Sequence, residues 1–141
     1  MIDFFKKPQE HVTGPDAPAG AATVLIVDDS PTETTIFRNA LLKAGFRVET
    51  AVDGEEGVAA AQRLHPDLIL MDVIMPGLNG FQATRMLKRD PATAQIPIIV
   101  VTTKGQPTDR TWGLRQGADD YLVKPVDPKE LIARVKVALG G

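Results

Sequence analysis

Residues 67–72 read Asp67-Leu68-Ile69-Leu70-Met71-Asp72, four apolar side chains with a carboxylate at each end. A run with no polar face has nothing to offer water on either side, so it reads as a strand covered on both faces. Working outward, TVLIVD near 23–28 and PIIVVT near 97–102 have the same almost continuously apolar character. RVETA near 47–51 and DYLVK near 120–124 complete a set of five short β-branched runs.

The segments between the runs carry helical signals. After the first run, Ser30-Pro31 offers a hydroxyl N-cap with proline at the first helical position. Ile36, Phe37, Ala40, Leu41 and Ala44 then recur at spacings of three and four until Gly45 closes the segment. A second helix follows Asp53, with Val58, Ala61 and Leu64 on its apolar side, and ends at His65-Pro66. A third runs from about Gly80 to Arg89, with Phe81, Thr84 and Leu87 along one face. A fourth starts near Pro107 and stops at Gly117. The fifth, Pro128 to Leu139, buries Leu131, Ile132, Val135, Ala138 and Leu139.

Five repeats of strand then helix predict an α/β fold, a doubly wound five-stranded parallel sheet. Parallel strands require crossovers, and those crossovers are right-handed. The expected strand order is 2-1-3-4-5, and ligands of such sheets bind beyond the carboxyl ends of the strands, where the order reverses.

Composition is compatible with one soluble domain. The chain has 141 residues, 43 % apolar and 24 % charged, with a formal net charge of −2. That charge gives no electrostatic reason for nucleic acid or an anionic membrane as partner. The absence of cysteine excludes disulfides and thiol nucleophiles and fits a reducing, cytoplasmic compartment. No apolar run reaches the roughly 18–20 residues that span a bilayer, and the charged start MIDFFKKPQEH lacks a signal peptide's apolar stretch. Residues 1–22 hold Pro8, Pro15, Pro18, Gly14 and Gly20 and are expected to form a flexible tail, leaving residues 23–141 as the folded domain.

The carboxyl edge of the sheet is where the sequence places chemistry. Strand 1 ends in Asp28-Asp29, strand 3 in Asp72, strand 4 in Thr102-Thr103 and strand 5 in Lys124-Pro125. Strands 1, 3 and 4 are neighbours in the expected order, so these groups converge. Three carboxylates together repel one another, and a hard cation with oxygen ligands relieves that repulsion; Mg²⁺ is the natural candidate. A carboxylate in such a place can be a nucleophile that forms an acyl phosphate. Asp72, at the end of the central strand between the acidic pair and Thr102, is the best candidate. Lys124 supplies a point cation and the Thr102 hydroxyl a donor for a phosphoryl group.

The strings VLIVDDSP, LILMDVIMPGLNGF, IIVVTTKG and GADDYLVKPV resemble the receiver domain of two-component response regulators, the group typified by the chemotaxis regulator. The match runs from about Thr23 to Leu139 with four motifs in order. The resemblance implies a flavodoxin-like receiver fold and phosphorylation of Asp72 by a histidine kinase. It implies Mg²⁺ held by Asp28, Asp29 and Asp72, with Asp29 favoured as the direct ligand and the backbone carbonyl of Ile74 contributing. Thr102 and Lys124 would contact the phosphoryl group, and Lys124-Pro125 would form a cis-proline junction. Thr102 and Tyr121 would act as the switch, changing the face made by helix 4, strand 5 and helix 5, which would bind an output protein. MPGLNGFQATR and VTTKGQPTDRTWGLRQGADDYL further resemble stand-alone receivers of type IV pilus twitching-motility systems and related phototaxis receivers.

Other readings remain beside this one. With the chain ending shortly after the fifth helix, neither a DNA-reading module nor a catalytic output module is expected, and output is protein binding or a phosphate sink for a shared kinase. An aspartyl-phosphate hydrolase usually has a second acid two residues after its nucleophile, where this chain has Ile74, so the chain is not expected to be an enzyme. A flavin carrier would need a Ser/Thr/Gly-rich loop after strand 1. A scaffold indifferent to phosphorylation would not need Asp72. For Tyr121 the alternative to a switch is a static half-buried aromatic, and Trp112 is either a partner contact or packing against a neighbouring helix. His11, in the tail, and His65, beside Pro66, are too isolated for a metal site or triad and are expected at the surface, and Gly77 and Gly80 are expected to serve turn geometry.

Overall fold

A computed structural model describes residues 19–140. The expected tail, residues 1–22, lies outside the described residues except for its last four. Strands and helices alternate as β1 (Thr23–Val27), α1 (Pro31–Lys43), β2 (Arg47–Ala51), α2 (Gly54–Leu64), β3 (Leu68–Met71), α3 (Gly80–Arg89), β4 (Ile98–Thr102), α4 (Pro107–Arg115), β5 (Asp120–Val123) and α5 (Pro128–Ala138). All strand pairs are parallel and the sheet order is β2-β1-β3-β4-β5. This is the doubly wound arrangement expected from the alternating pattern.

Local chemistry starts the helices where the sequence signals them. The Ser30 hydroxyl accepts from the Glu33 amide and Pro31 opens α1. Asp53 caps α2 through the Glu56 amide, and Asn79 and Gln82 form a reciprocal capping box on α3. Asp127 caps α5 ahead of Pro128. His65 ends α2 in the left-handed region at φ 48°. The fourth helix stops at Arg115, two residues before Gly117, whose φ of 110° turns the chain.

The core divides by strand parity. Leu25, Val27, Ile69 and Met71 face one side of the sheet with Val58, Ala61, Ala83 and Leu87 of α2 and α3. Val24, Ile26, Leu68 and Leu70 face the other side with Phe37 and Leu41 of α1 and Leu131 and Val135 of α5. Three helical assignments change: Ile36 is 47 % and Leu64 38 % exposed, and Ala44 is exposed as well, so none of them joins the core expected from spacing alone. The contact stripe of α1 is the narrower Phe37–Leu41 pair.

Because β1 and β3 are apolar on both faces, hydrophobic pattern alone does not fix their register. The flanking carboxylates do. Val24 pairs with Leu68 and Val27 with Met71, so a slip of one residue would draw an aspartate into the sheet. At the opposite edge the Thr23 amide donates to Asp67 Oδ2 at 2.8 Å, tying the two strand starts together. This register carries Asp28 and Asp72 out of the ladder side by side.

Candidate functional site

Backbone hydrogen bonds set the two buried acids. The Asp28 amide donates to Ala51 O at 3.0 Å and the Asp72 amide to Val27 O at 2.9 Å, so each is the first residue beyond its strand but still anchored to a neighbour. Asp28 Oδ1 accepts from the Ser30 amide at 2.8 Å, and Asp72 Oδ1 from the Val73 amide at 2.7 Å. Asp29 is exposed at the rim. One carboxylate oxygen from each of Asp28, Asp29 and Asp72 lies within 4.8 Å of the others.

Lys124 enters from the far side. Its amide donates to Thr102 O at 2.8 Å, the bond to Pro125 is cis, and its side chain is buried. The ammonium donates to Asp28 Oδ2 at 3.0 Å, pairs with Asp72 Oδ2 at 3.5 Å, and donates to Glu33 Oε1. Burial opposes the charge on Lys124, but the hydrogen bonds to Glu33 and Asp28 and the charges of Asp72 and Asp28 prevail and hold its pKa above the ordinary value. For Asp72, burial dominates; it raises the carboxyl pKa, Lys124 opposes it and Asp28 adds to it.

The donor set suits a hard divalent cation: three carboxylates, oxygen donors only, two of them buried and one open to solvent. Asp28, Asp29 and Asp72 are the side chains that could hold Mg²⁺. Ile74, two residues beyond Asp72 in the loop to α3, has a side chain that is exposed and apolar.

Thr102, the last residue of β4, is fully buried, and its Oγ1 accepts from the Lys104 amide at 3.4 Å. Tyr121 on β5 is not half-buried but 1 % exposed. Its hydroxyl donates to Lys104 O at 2.7 Å, so the loop after β4 is tied both to Thr102 and to Tyr121. The guanidinium of Arg110 lies 5.4 Å from the centre of its ring, and Phe81 stacks at 6.5 Å. Burial, with the charge of Asp109 helping and Arg110 opposing, pushes the Tyr121 phenol up to about 12. Trp112 on α4 is 50 % exposed.

Two groups near the acids have roles that the sequence did not give them. Glu33 was legible only as the fourth residue of Ser30-x-x-Glu33, the spacing of a capping box. Gly80 has no positive φ, unlike Gly77 at φ 74°, so turn geometry explains Gly77 but not Gly80. Gly80 is required by proximity: a Cβ there would stand 1.9 Å from Asp72 O. The expected site residues Asp28, Asp29, Asp72 and Lys124 come together, and Thr102 is joined to them through the Lys124 amide that donates to its carbonyl. Tyr121 belongs to a separate cluster with Val73, Phe81, Val100 and Ala118.

A family profile described as the response regulator receiver domain matches residues 24–136. PilH of Pseudomonas aeruginosa is 54 % identical over 120 residues, covering 85 % of this chain and 99 % of PilH. Other curated relatives are longer; the chain spans 48 % of one and 26 % of another. Among solved structures, the chemotaxis protein CheY4 of Vibrio cholerae matches with a TM-score of 0.80 at 35 % identity, covering 84 % of this chain and 99 % of CheY4. The receiver domain of a Pseudomonas aeruginosa sensor histidine kinase matches with a TM-score of 0.80 at 34 % identity, covering 86 % of this chain and all of that one. That structure has a magnesium ion coordinated in its active site cleft.

Proposed function

The chain belongs to the response regulator receiver domain family, and from that premise we propose that Asp72 accepts a phosphoryl group from a histidine kinase and that the phosphorylated chain signals by binding a protein partner. The observation that carries this reading is the position of the Asp72 carboxylate, 3.5 Å from the Lys124 ammonium and beside Asp28 and Asp29.

A carboxylate oxygen of Asp72 attacks phosphorus, the new O–P bond forms, and the N–P bond to the donor imidazole breaks with its electron pair kept on nitrogen. Lys124 offsets charge on the phosphoryl oxygens, and the Thr102 hydroxyl donates to one of them. The Val73 amide holds one Asp72 oxygen, leaving Oδ2 directed toward Lys124. Bound Mg²⁺, held by Asp28, Asp29, Asp72 and the Ile74 carbonyl, would supply positive charge against the clustered carboxylates and the phosphoryl oxygens. Apolar Ile74 cannot orient a hydrolytic water, which favours an acyl phosphate that persists over an enzyme that turns it over.

Phosphorylation brings about −1.5 to −2 charges to the pocket. Thr102 shifts toward that charge, and the Lys104 loop transmits the shift to Tyr121 and the α4–β5–α5 face, where half-exposed Trp112 is available for a partner. Identity to PilH over almost its whole length, together with the twitching-motility strings, supports a place in type IV pilus motility or chemotaxis-like signalling. No described helix is long and apolar enough to cross a membrane. The test is intact mass after acetyl phosphate and Mg²⁺. The chain gains one phosphoryl mass and Asp72→Asn gains none; a wild-type chain that stays unmodified sinks the reading.

A further inference from the structure

Glu33 touches Lys124 without belonging to the acidic trio, and local helix chemistry explains how it is available to do so. In a full capping box the Glu33 carboxylate would accept from the Ser30 amide. Here that amide donates to Asp28 Oδ1, while Ser30 Oγ still accepts from the Glu33 amide at 3.3 Å. The Glu33 side chain is thereby released from the helix end and reaches Lys124.

An ammonium has three N–H donors. In Lys124 two are committed to Asp28 and Glu33, and Asp72 is met only as an ion pair at 3.5 Å. One donor is left for a phosphoryl group on Asp72, and a second reaches it only if Asp28 or Glu33 lets go. Asp28 is the worse partner to give up, because it is buried and its other oxygen is held by Ser30. The Glu33 side chain is 38 % exposed, so water can take over its hydration when it lets go.

We propose that Glu33 is a positioning residue that competes with the phosphoryl group for Lys124, and so sets how readily Asp72 is phosphorylated. The inference rests on the phosphoacceptor reading above. Its negative charge also faces an incoming anion, so contact and charge act in the same direction.

The test measures the rate of phosphorylation by acetyl phosphate, and the affinity for beryllofluoride as a phosphoryl mimic, both with saturating Mg²⁺. Glu33→Gln raises both by roughly three- to tenfold, the range of a partly exposed pair. Glu33→Asp keeps the charge but shortens the reach, and also raises both. Glu55→Gln removes the same charge from the exposed first turn of α2 and changes neither. Thermal melts of the Glu33 variants should stay cooperative and lose only the small contribution of a partly exposed pair, because the cap uses the Glu33 amide and not its side chain. A Glu33→Gln rate equal to or below wild type, or one matched by Glu55→Gln, overturns the inference. A wild-type chain that gains no phosphoryl mass and binds no beryllofluoride overturns the phosphoacceptor reading itself, so the two failures are distinct.

Discussion

Lys124 Nζ stands 3.5 Å from Asp72 Oδ2 although their strands, β5 and β3, are separated in the sheet by β4. The lysine crosses that width because its own amide is hydrogen-bonded to Thr102 O at the end of β4. A cation borne on one strand thus neutralises acids borne on two others and on α1. The pair is a property of the sheet order.

Lys124→Ala tests how much that neutralisation stabilises the fold. It leaves Asp28, Glu33 and Asp72 without their cation, and removing one partner of a buried pair is strongly destabilising. A loss of roughly 2–4 kcal/mol at pH 7 without divalent metal is expected. The folded-state pKa of Lys124 is raised, so its contribution is fully present below the unfolded value of 10.5 and is lost as pH rises through the folded value. Urea denaturation should show the deficit shrinking when Mg²⁺ is added, because the cation takes over the neutralisation of the clustered acids. A variant as stable as wild type in EDTA would contradict this.

Asp72→Asn should move stability the other way. Burial raises the carboxyl pKa above 3.8 despite Lys124, so the folded chain keeps a proton that the unfolded chain has released. Stability is therefore lost as pH rises through that window, and replacing the charge with a neutral amide removes the loss. In metal-free buffer at pH 7 the variant is expected to gain about 1 kcal/mol, with the gain vanishing at pH values below 3.8. A less stable variant at pH 7 would mean that the attraction of Lys124 outweighs burial.

Gly80→Ala tests the close approach of α3 to the acceptor. Its Cβ would meet Asp72 O at 1.9 Å and Val73 Cα at 2.8 Å, both backbone atoms, so Asp72 itself must move. Overpacking of this kind costs about 1–3 kcal/mol or more. Acetyl phosphate labelling is expected to fall about tenfold, since an ångström of misplacement can cost more than that. Gly77→Asn is the contrast. A Cβ at Gly77 meets nothing within 4 Å, and asparagine tolerates its left-handed φ of 74°. That variant should lose about 1 kcal/mol or less and label normally.

Tyr121 is the single tyrosine of the chain, so its phenol can be followed by ultraviolet absorbance. Phenolate should appear only near pH 12, not near 10. The sign is that of a raised acid: stability falls as pH climbs from 10 toward 12, because the unfolded chain releases the proton first. A Cβ at Gly113 would stand 2.8 Å from the Tyr121 ring, so Gly113→Ala displaces the ring and brings its midpoint down toward 10. An unchanged midpoint in that variant would show that Gly113 does not shape the ring's seat.

The strands, the helix starts and the acids at the sheet edge were legible because each depends on neighbours close in sequence. Alternation, capping hydroxyls and prolines act within one or two turns, and right-handed crossovers leave few ways to stack five such units. Strand ends were read one residue too long at Asp28, Asp67, Asp72 and Lys124 because polar residues leave the ladder to serve the edge. Ile36 was misplaced because helical spacing does not reveal how narrow the contact stripe of α1 is. Gly80 was misread because a glycine needed for proximity looks the same in sequence as one needed for a turn.

The sequence by itself determined the α/β order, the two-sided core and the gathering of Asp28, Asp29, Asp72, Thr102 and Lys124 at one edge, since those follow from periodicity and topology. Only the tertiary structure decided that Glu33 would reach Lys124, that the Tyr121 ring would lie buried against Gly113, and that Gly80 would rest on the backbone of Asp72. Such contacts turn on side-chain reach across a few ångströms between segments up to 91 residues apart. Pattern places an element, but the packing of its neighbours decides which of its side chains meet.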